Sequence, residues 1–285
     1  MARETGLEHL TMLDISPPEL VSLAARAGFD AVGLRIAPVT PGEEPWPMDR
    51  GSPMLAETVG RCAATGVAVL GVEAVALSPG TAVAQFQPVL EVAGALRARH
   101  LNVICDDPEV GRFSDRFAQL VELCRPYRLR PVVEFTRWRP VRTLRQAVAI
   151  AAASGGGGLL LDALHVQRCG AGLGELARVE PGLFAYLQAC DAPLEQPAGL
   201  TLPARLPRGQ QAGPGDDAVL EARTMRMLPG EGELPLAGLV SVLPAGLPVS
   251  VEAPSLAARQ RYGPDEYAAR ARRALAALLS SAGAS

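Results

Sequence analysis

Along the chain, short runs of apolar and β-branched residues alternate with longer stretches in which apolar positions recur every three or four residues. The short runs read as buried strands and the longer stretches as amphipathic helices. Their regular alternation is the pattern of βα units that build a parallel sheet. The runs predict eight strands, at residues 7–13, 31–36, 67–76, 101–105, 131–135, 159–162, 184–190 and 249–252. Helical spacing predicts helices at 17–27, 54–65, 81–100, 114–127, 143–154, 173–178, 236–243 and 264–279. Ser16 before Pro17, with Glu19 three residues after it, predicts a helix N-cap, and Gly28 and Gly66 predict helix stops.

Eight strands and eight helices in 285 residues predict an α/β fold, a single (β/α)8 TIM barrel over residues 1–285. A doubly wound sheet would also alternate, but no G-x-G-x-x-G follows any predicted strand. Two proline-rich stretches break the rhythm. One holds Pro38, Pro41, Pro45 and Pro47; the other runs over about 194–230 with Pro197, Pro203, Pro207 and Pro214. The second predicts a long loop after strand seven, on the face where barrels of this kind place their sites.

Composition narrows the chemistry. All 27 basic residues are arginine, against 30 acidic ones, for a formal charge of −3. Without lysine there is no Schiff-base aldolase, pyridoxal-phosphate enzyme or Walker A loop. The acidic balance is the reverse of a nucleic-acid-binding face. Five cysteines with no C-x-x-C pair fit a reducing cytoplasm better than a disulfide framework. The N-terminal segment lacks an apolar signal core, and no apolar run is long enough to span a membrane.

Carboxylates fall where apolar runs give way to loops. Glu134 ends strand five, Asp162 strand six and Glu252 strand eight, Gln188 and Asp191 lie at the end of strand seven, and Glu73 is late in strand three. In a barrel these ends converge on one mouth, where crowded carboxylates either rise in pKa or demand a cation. An all-oxygen set suits Mn²⁺, Mg²⁺ or Co²⁺, with Zn²⁺ also admissible. The plainer alternative is that each carboxylate caps a helix or pairs with an arginine. His165, three residues after Asp162, is placed for acid/base work or for donation to a substrate oxygen. His9, on strand one, faces either the mouth or the core. Arg35, Arg168, Arg223 and Arg226 stand near the same mouth and would favour an anionic substrate.

The D-x-x-H of Asp162 and His165, with Glu134 one strand earlier and Glu252 on the last strand, resembles the sugar phosphate isomerase/epimerase family of xylose-isomerase-like TIM barrels. The segment PGEGELPL at 229–236 also looks like that family's turn into its penultimate helix. The resemblance implies a divalent ion held by Glu134, Asp162, Gln188 and Glu252, with Glu134, Glu252 and His165 catalytic. It further implies a polyhydroxy carbonyl substrate touched by His165, and a homodimer; from their placement near the mouth, Arg35, Glu73, Arg168, Arg226 and His9 are expected to meet that substrate. The activity implied is isomerisation or epimerisation by proton loss next to a carbonyl. Many members carry His where this chain has Gln188; Gln occurs in the branch that resembles 3-dehydroshikimate dehydratases, so a dehydratase-like lyase is the alternative. The lysine of true xylose isomerases is missing. A non-catalytic barrel would bind ligand without proton exchange from deuterated water.

Overall fold

The computed structural model describes residues 3–40, 42–212 and 215–283; Pro41 and Pro214 lie outside them. Eight parallel strands close into a barrel in sequence order. They are β1 (Thr5–Glu8), β2 (Ala31–Arg35), β3 (Ala68–Leu77), β4 (His100–Cys105), β5 (Arg130–Val133), β6 (Gly158–Asp162), β7 (Phe184–Ala189) and β8 (Val249–Val251). Closure is direct: β1 pairs with β2 through Leu7↔Val32 and with β8 through Leu7↔Val251.

The strands are apolar on both faces because both faces are covered. Outside, Leu7, Val32, Leu101 and Val249 pack with helix residues such as Leu20, Phe113, Phe117 and Leu275 in one continuous core. Inside, Ala31, Leu70, Val132, Leu160, Ala185 and Tyr186 form a separate plug. The large ring of Tyr186 is admitted by Gly71, where an added Cβ would lie 2.9 Å from the tyrosine hydroxyl. The barrel is therefore filled below and leaves room for polar groups only above, at the C-terminal ends of the strands.

Several predicted boundaries shift for local reasons. The first strand stops at Glu8, because His9–Met12 turns as a 3-10 helix. The predicted helix over 81–100 is shorter: a 3-10 turn at Val83–Phe86 leads into Gln87–Ala95, and His100 already belongs to β4. Ser16 precedes the helix Pro17–Ala27, but its side chain makes no capping bond; Gly28 ends the helix at φ 84°, as expected of a left-handed cap. The 194–230 stretch is not wholly loop, since Asp217–Thr224 is helical. That stretch is tied to the barrel by isolated antiparallel bridges, Asp191↔Met227 and Met225↔Ser255. Among the described residues all five cysteines are free, and no helix is long and apolar enough to cross a membrane.

Candidate active site at the C-terminal mouth

Register brings the strand-end residues to one level. Asp162 sits beside Gln188, Gln188 beside Ser250, and Arg35 beside Glu73. Glu134 and Glu252 are the first residues beyond β5 and β8. All are buried.

The D-x-x-H spacing has a local cause. Asp162 is the N-cap of the short helix Ala163–Arg168, and its Oδ1 accepts the backbone N–H of His165 at 3.1 Å. That turn carries the imidazole back over the strand end, where Nε2 lies 3.7 Å from Glu134 Oε1 and 4.0 Å from Asp162 Oδ2. Capping and site chemistry thus use different oxygens of one carboxylate. The edge of the His165 ring meets Trp138 at 5.0 Å between centroids. Burial lowers the pKa of His165 to about 4, so the ring is neutral at pH 7.

Glu134 Oε2 accepts from Asn102 Nδ2 at 2.9 Å. Burial first, and then the Asp162 charge, push its pKa up to about 7. Burial also raises Glu252, although Arg226 pulls the other way. Arg226 is the central cation. It is 2% exposed. Its Nη1 bonds Asp162 and lies 3.1 Å from Glu252 Oε2. Burial works against the charges of both partners in this pair, but Arg226 outweighs it and holds Asp162 below the ordinary range. Gln188 donates from Nε2 to Glu252 Oε1 at 3.0 Å, and its own Oε1 is buried without a partner.

Two predicted substrate contacts are placed differently. His9 spends both nitrogens internally: Nε2 lies 2.7 Å from the carbonyl of Ile15, and Nδ1 accepts from the backbone of Arg35. Arg168 is held by Glu221 at 2.7 Å and by the carbonyls of Pro193 and Leu194, so it anchors the loop after β7. Arg35 and Glu73 do line the cavity at the mouth, with Glu134, His165, Arg226 and Glu252. Arg35 is already paired, to Glu43 and to Glu73, each at 3.1 Å. Asp191 is structural: its carboxylate accepts from the backbone N–H groups of Ala192, Gly230 and Leu234 and so fixes the PGEG turn.

Glu8 was missed by reading the sequence. A first strand predicted over 7–13 makes Glu8 its second residue, whereas it ends β1 and so sits at a strand end like the others. It is fully buried, and its pKa is raised well above the ordinary range by burial and by Glu73. Its side chain lies over Gly33, its partner in register, where an added Cβ would fall 1.5 Å from Glu8 Oε2. Gly33→Ala is therefore expected to cost roughly 1–3 kcal/mol by overpacking. The check is the urea midpoint of Gly33→Ala alone and together with Glu8→Ala. Recovery in the pair identifies the clash, and an unchanged midpoint in the single variant contradicts it.

Ligand atoms of two triads lie within 4.8 Å of one another, Glu134 with Asp162 and His165, and Glu8 with Glu73 and Glu252. Five buried carboxyl groups share the mouth with two buried guanidinium groups, Arg35 and Arg226, and three of the five, Glu8, Glu134 and Glu252, have raised pKa values, so a cation could replace their protons. With the unpartnered amide oxygen of Gln188, this donor set fits a hard or borderline divalent ion.

Fold and mouth together define a (β/α)8 barrel whose strand ends gather carboxylates, an amide and an imidazole in one shielded cavity. The sequence matches the family described as xylose isomerase-like TIM barrel over residues 21–278, and the chain belongs to that family. No curated protein matches it. Among solved structures it is similar to the IolI protein with a binding zinc atom (TM-score 0.73, 17% identity, 97% of this chain and 98% of that one). It is also similar to D-psicose 3-epimerase in the presence of D-fructose (TM-score 0.71, 13% identity, 98% and 99%). A third is the probable 3-DHS dehydratase AsbF from Bacillus anthracis (TM-score 0.69, 11% identity, 96% and 98%). At these identities the likeness is one of fold.

Proposed function

We infer that this chain is a divalent-metal-dependent isomerase or epimerase of small polyhydroxy carbonyl compounds, acting by proton transfer at the carbon next to the carbonyl. One observation carries the reading: two buried carboxyls of raised proton affinity, Glu134 and Glu252, line the same cavity from strands three places apart around the barrel. Glu134, with a pKa of about 7, can take a proton and give it back near neutral pH, and Glu252, whose pKa is raised by burial, can hold one to return. The epimerase among the similar structures accords with this.

Glu134, Asp162, Gln188 and Glu252 would hold the ion, which when bound supplies Lewis-acid stabilisation of negative charge on adjacent substrate oxygens. Glu134 then takes the proton from one side and Glu252 returns one from the other. Asn102 orients Glu134 by its 2.9 Å bond. Arg226 keeps Asp162 ionised, and neutral His165 stands ready to donate to a substrate oxygen. The same site supports a second outcome: if Glu134, after taking the proton next to the carbonyl, gives it to a β-hydroxyl that leaves as water, with His165 hydrogen-bonded to a substrate oxygen, the reaction is a dehydration, as the name of the similar dehydratase describes.

The test is deuterium incorporation from heavy water across keto-sugars, sugar phosphates and cyclic keto acids, with metal analysis of the same protein. Incorporation into one class that stops on chelation supports the reading; none in any class overturns it. Metal affinity supplies an independent check. Glu134 has a pKa near 7, so below that pH an incoming ion must displace its proton. Affinity for added Mn²⁺ is expected to rise with pH, by about tenfold per pH unit for each ligand proton displaced, Glu134 contributing below pH 7. A flat profile between pH 5.5 and 8, measured by calorimetric titration, contradicts Glu134 as a ligand.

A further inference from the structure

We propose that the substrate carries a carboxylate or phosphate at the end remote from the reacting carbon, and that Arg223, with Arg139 beside it, binds that group. This rests on the reading of the mouth as an active site and names its substrate class.

Arg223 comes from the helix Asp217–Thr224, within the stretch after β7 that interrupts the βα rhythm. It lines the same cavity as Glu134, His165 and Glu252, as do Arg35, Arg139 and Arg226. The other cations there have carboxylate partners. Arg35 has Glu43 and Glu73, Arg226 has Asp162 and Glu252, and Arg139 has Asp106. Arg223 makes no ion pair among the described residues, and its one side-chain bond goes to the carbonyl of Gln211. A half-buried guanidinium without an anion, set among like charges, is poorly placed for a resting surface and well placed for an incoming anion. Burial, and then repulsion from Arg35 and Arg139, lower its pKa to about 10. Glu43 and Asp216 act weakly against this.

Cavity size supports the same division of labour. The cavity above the carboxylates is only about 70 Å³. A neighbouring one of about 350 Å³ shares the walls Trp138, Arg139 and Arg223. Ordinary small-molecule sites start at about 300 Å³. A substrate that reaches the carboxylates therefore extends outward past Arg139 and Arg223, which are the walls common to both spaces.

Calorimetric binding of three probes, D-gluconate, D-ribose 5-phosphate and neutral D-fructose, tests this in the metal-loaded protein and in Arg223→Gln and Arg223→Lys. The parent is expected to bind at least one anionic probe about tenfold or more tightly than fructose. Arg223→Gln should lose roughly 10- to 100-fold for that probe and leave fructose unchanged, the usual range for a hydrogen bond to a charged group. Arg223→Lys should retain part of the gain. Gluconate against ribose 5-phosphate tells which anion the subsite takes. No anion preference in the parent, or equal anion binding in Arg223→Gln, overturns the proposal. Anion preference lost in Arg223→Gln, with no deuterium exchange in any compound, keeps the subsite and removes the reaction. Deuterium exchange without anion preference does the reverse.

Discussion

Glu134→Gln and Glu252→Gln, made separately, are each expected to slow proton exchange into substrate by roughly 10²- to 10⁴-fold, the usual contribution of a positioned acid or base. Each should also reduce bound divalent ion. The loss would not come from unfolding. Glu134 has a folded pKa near 7, above its unfolded value, so its ionised form costs stability once pH rises through that value. Neutral glutamine removes the cost, and the metal-free Glu134→Gln protein should be at least as stable as the parent at pH 8. Activity, metal content and urea midpoint on one preparation decide the matter. Unchanged metal content in both variants removes the proposed ion site, and unchanged exchange removes the catalytic roles.

Arg226→Ala is expected to be the most destabilising single change at the mouth. Arg226 is almost wholly buried, and its guanidinium serves both Asp162 and Glu252. Removing it leaves two buried carboxylates facing each other without their shared cation. Breaking a buried pair in this way costs about 3–5 kcal/mol. Arg226→Lys keeps the charge but not the planar fork, and should fall between parent and alanine. Arg61→Ala removes a cation whose partners, Glu57 and Glu19, are solvent-exposed, and should have little effect. A parent-like urea midpoint for Arg226→Ala would mean that the two carboxylates are already neutralised by protons.

Polar residues that close apolar runs are the part of the mouth legible in the sequence, even though β5, β7 and β8 end one or two residues earlier than the runs themselves. Glu134, Asp162, Gln188 and Glu252 each close an apolar run, and the barrel carries all four, buried, to one end, where they are the proposed ion ligands. Glu8 also ends a strand but is hidden by a 3-10 turn that continues the apolar run to Met12. Nothing in the local sequence distinguishes that turn from more strand. Position alone suggests His9 and Arg168 as substrate contacts, whereas the backbone of Arg35 and the carboxylate of Glu221, which occupy them, lie 26 and 53 residues away in the chain.

Hydrophobic periodicity determined the alternation and count of strands and helices, and the residues that close each run marked the polar strand ends, because those follow from residues that are neighbours in the chain; closure of the ring joins Leu7 to Val251 and is tertiary. The tertiary structure alone decided how charge is shared among those ends. Arg226 is 64 residues from Asp162, and Gln188 is 64 from Glu252. Whether a buried carboxylate meets a guanidinium, an amide or another carboxylate depends on which side chains the closed barrel brings within about 4 Å, and Coulomb energies and desolvation act over that distance in space rather than along the sequence.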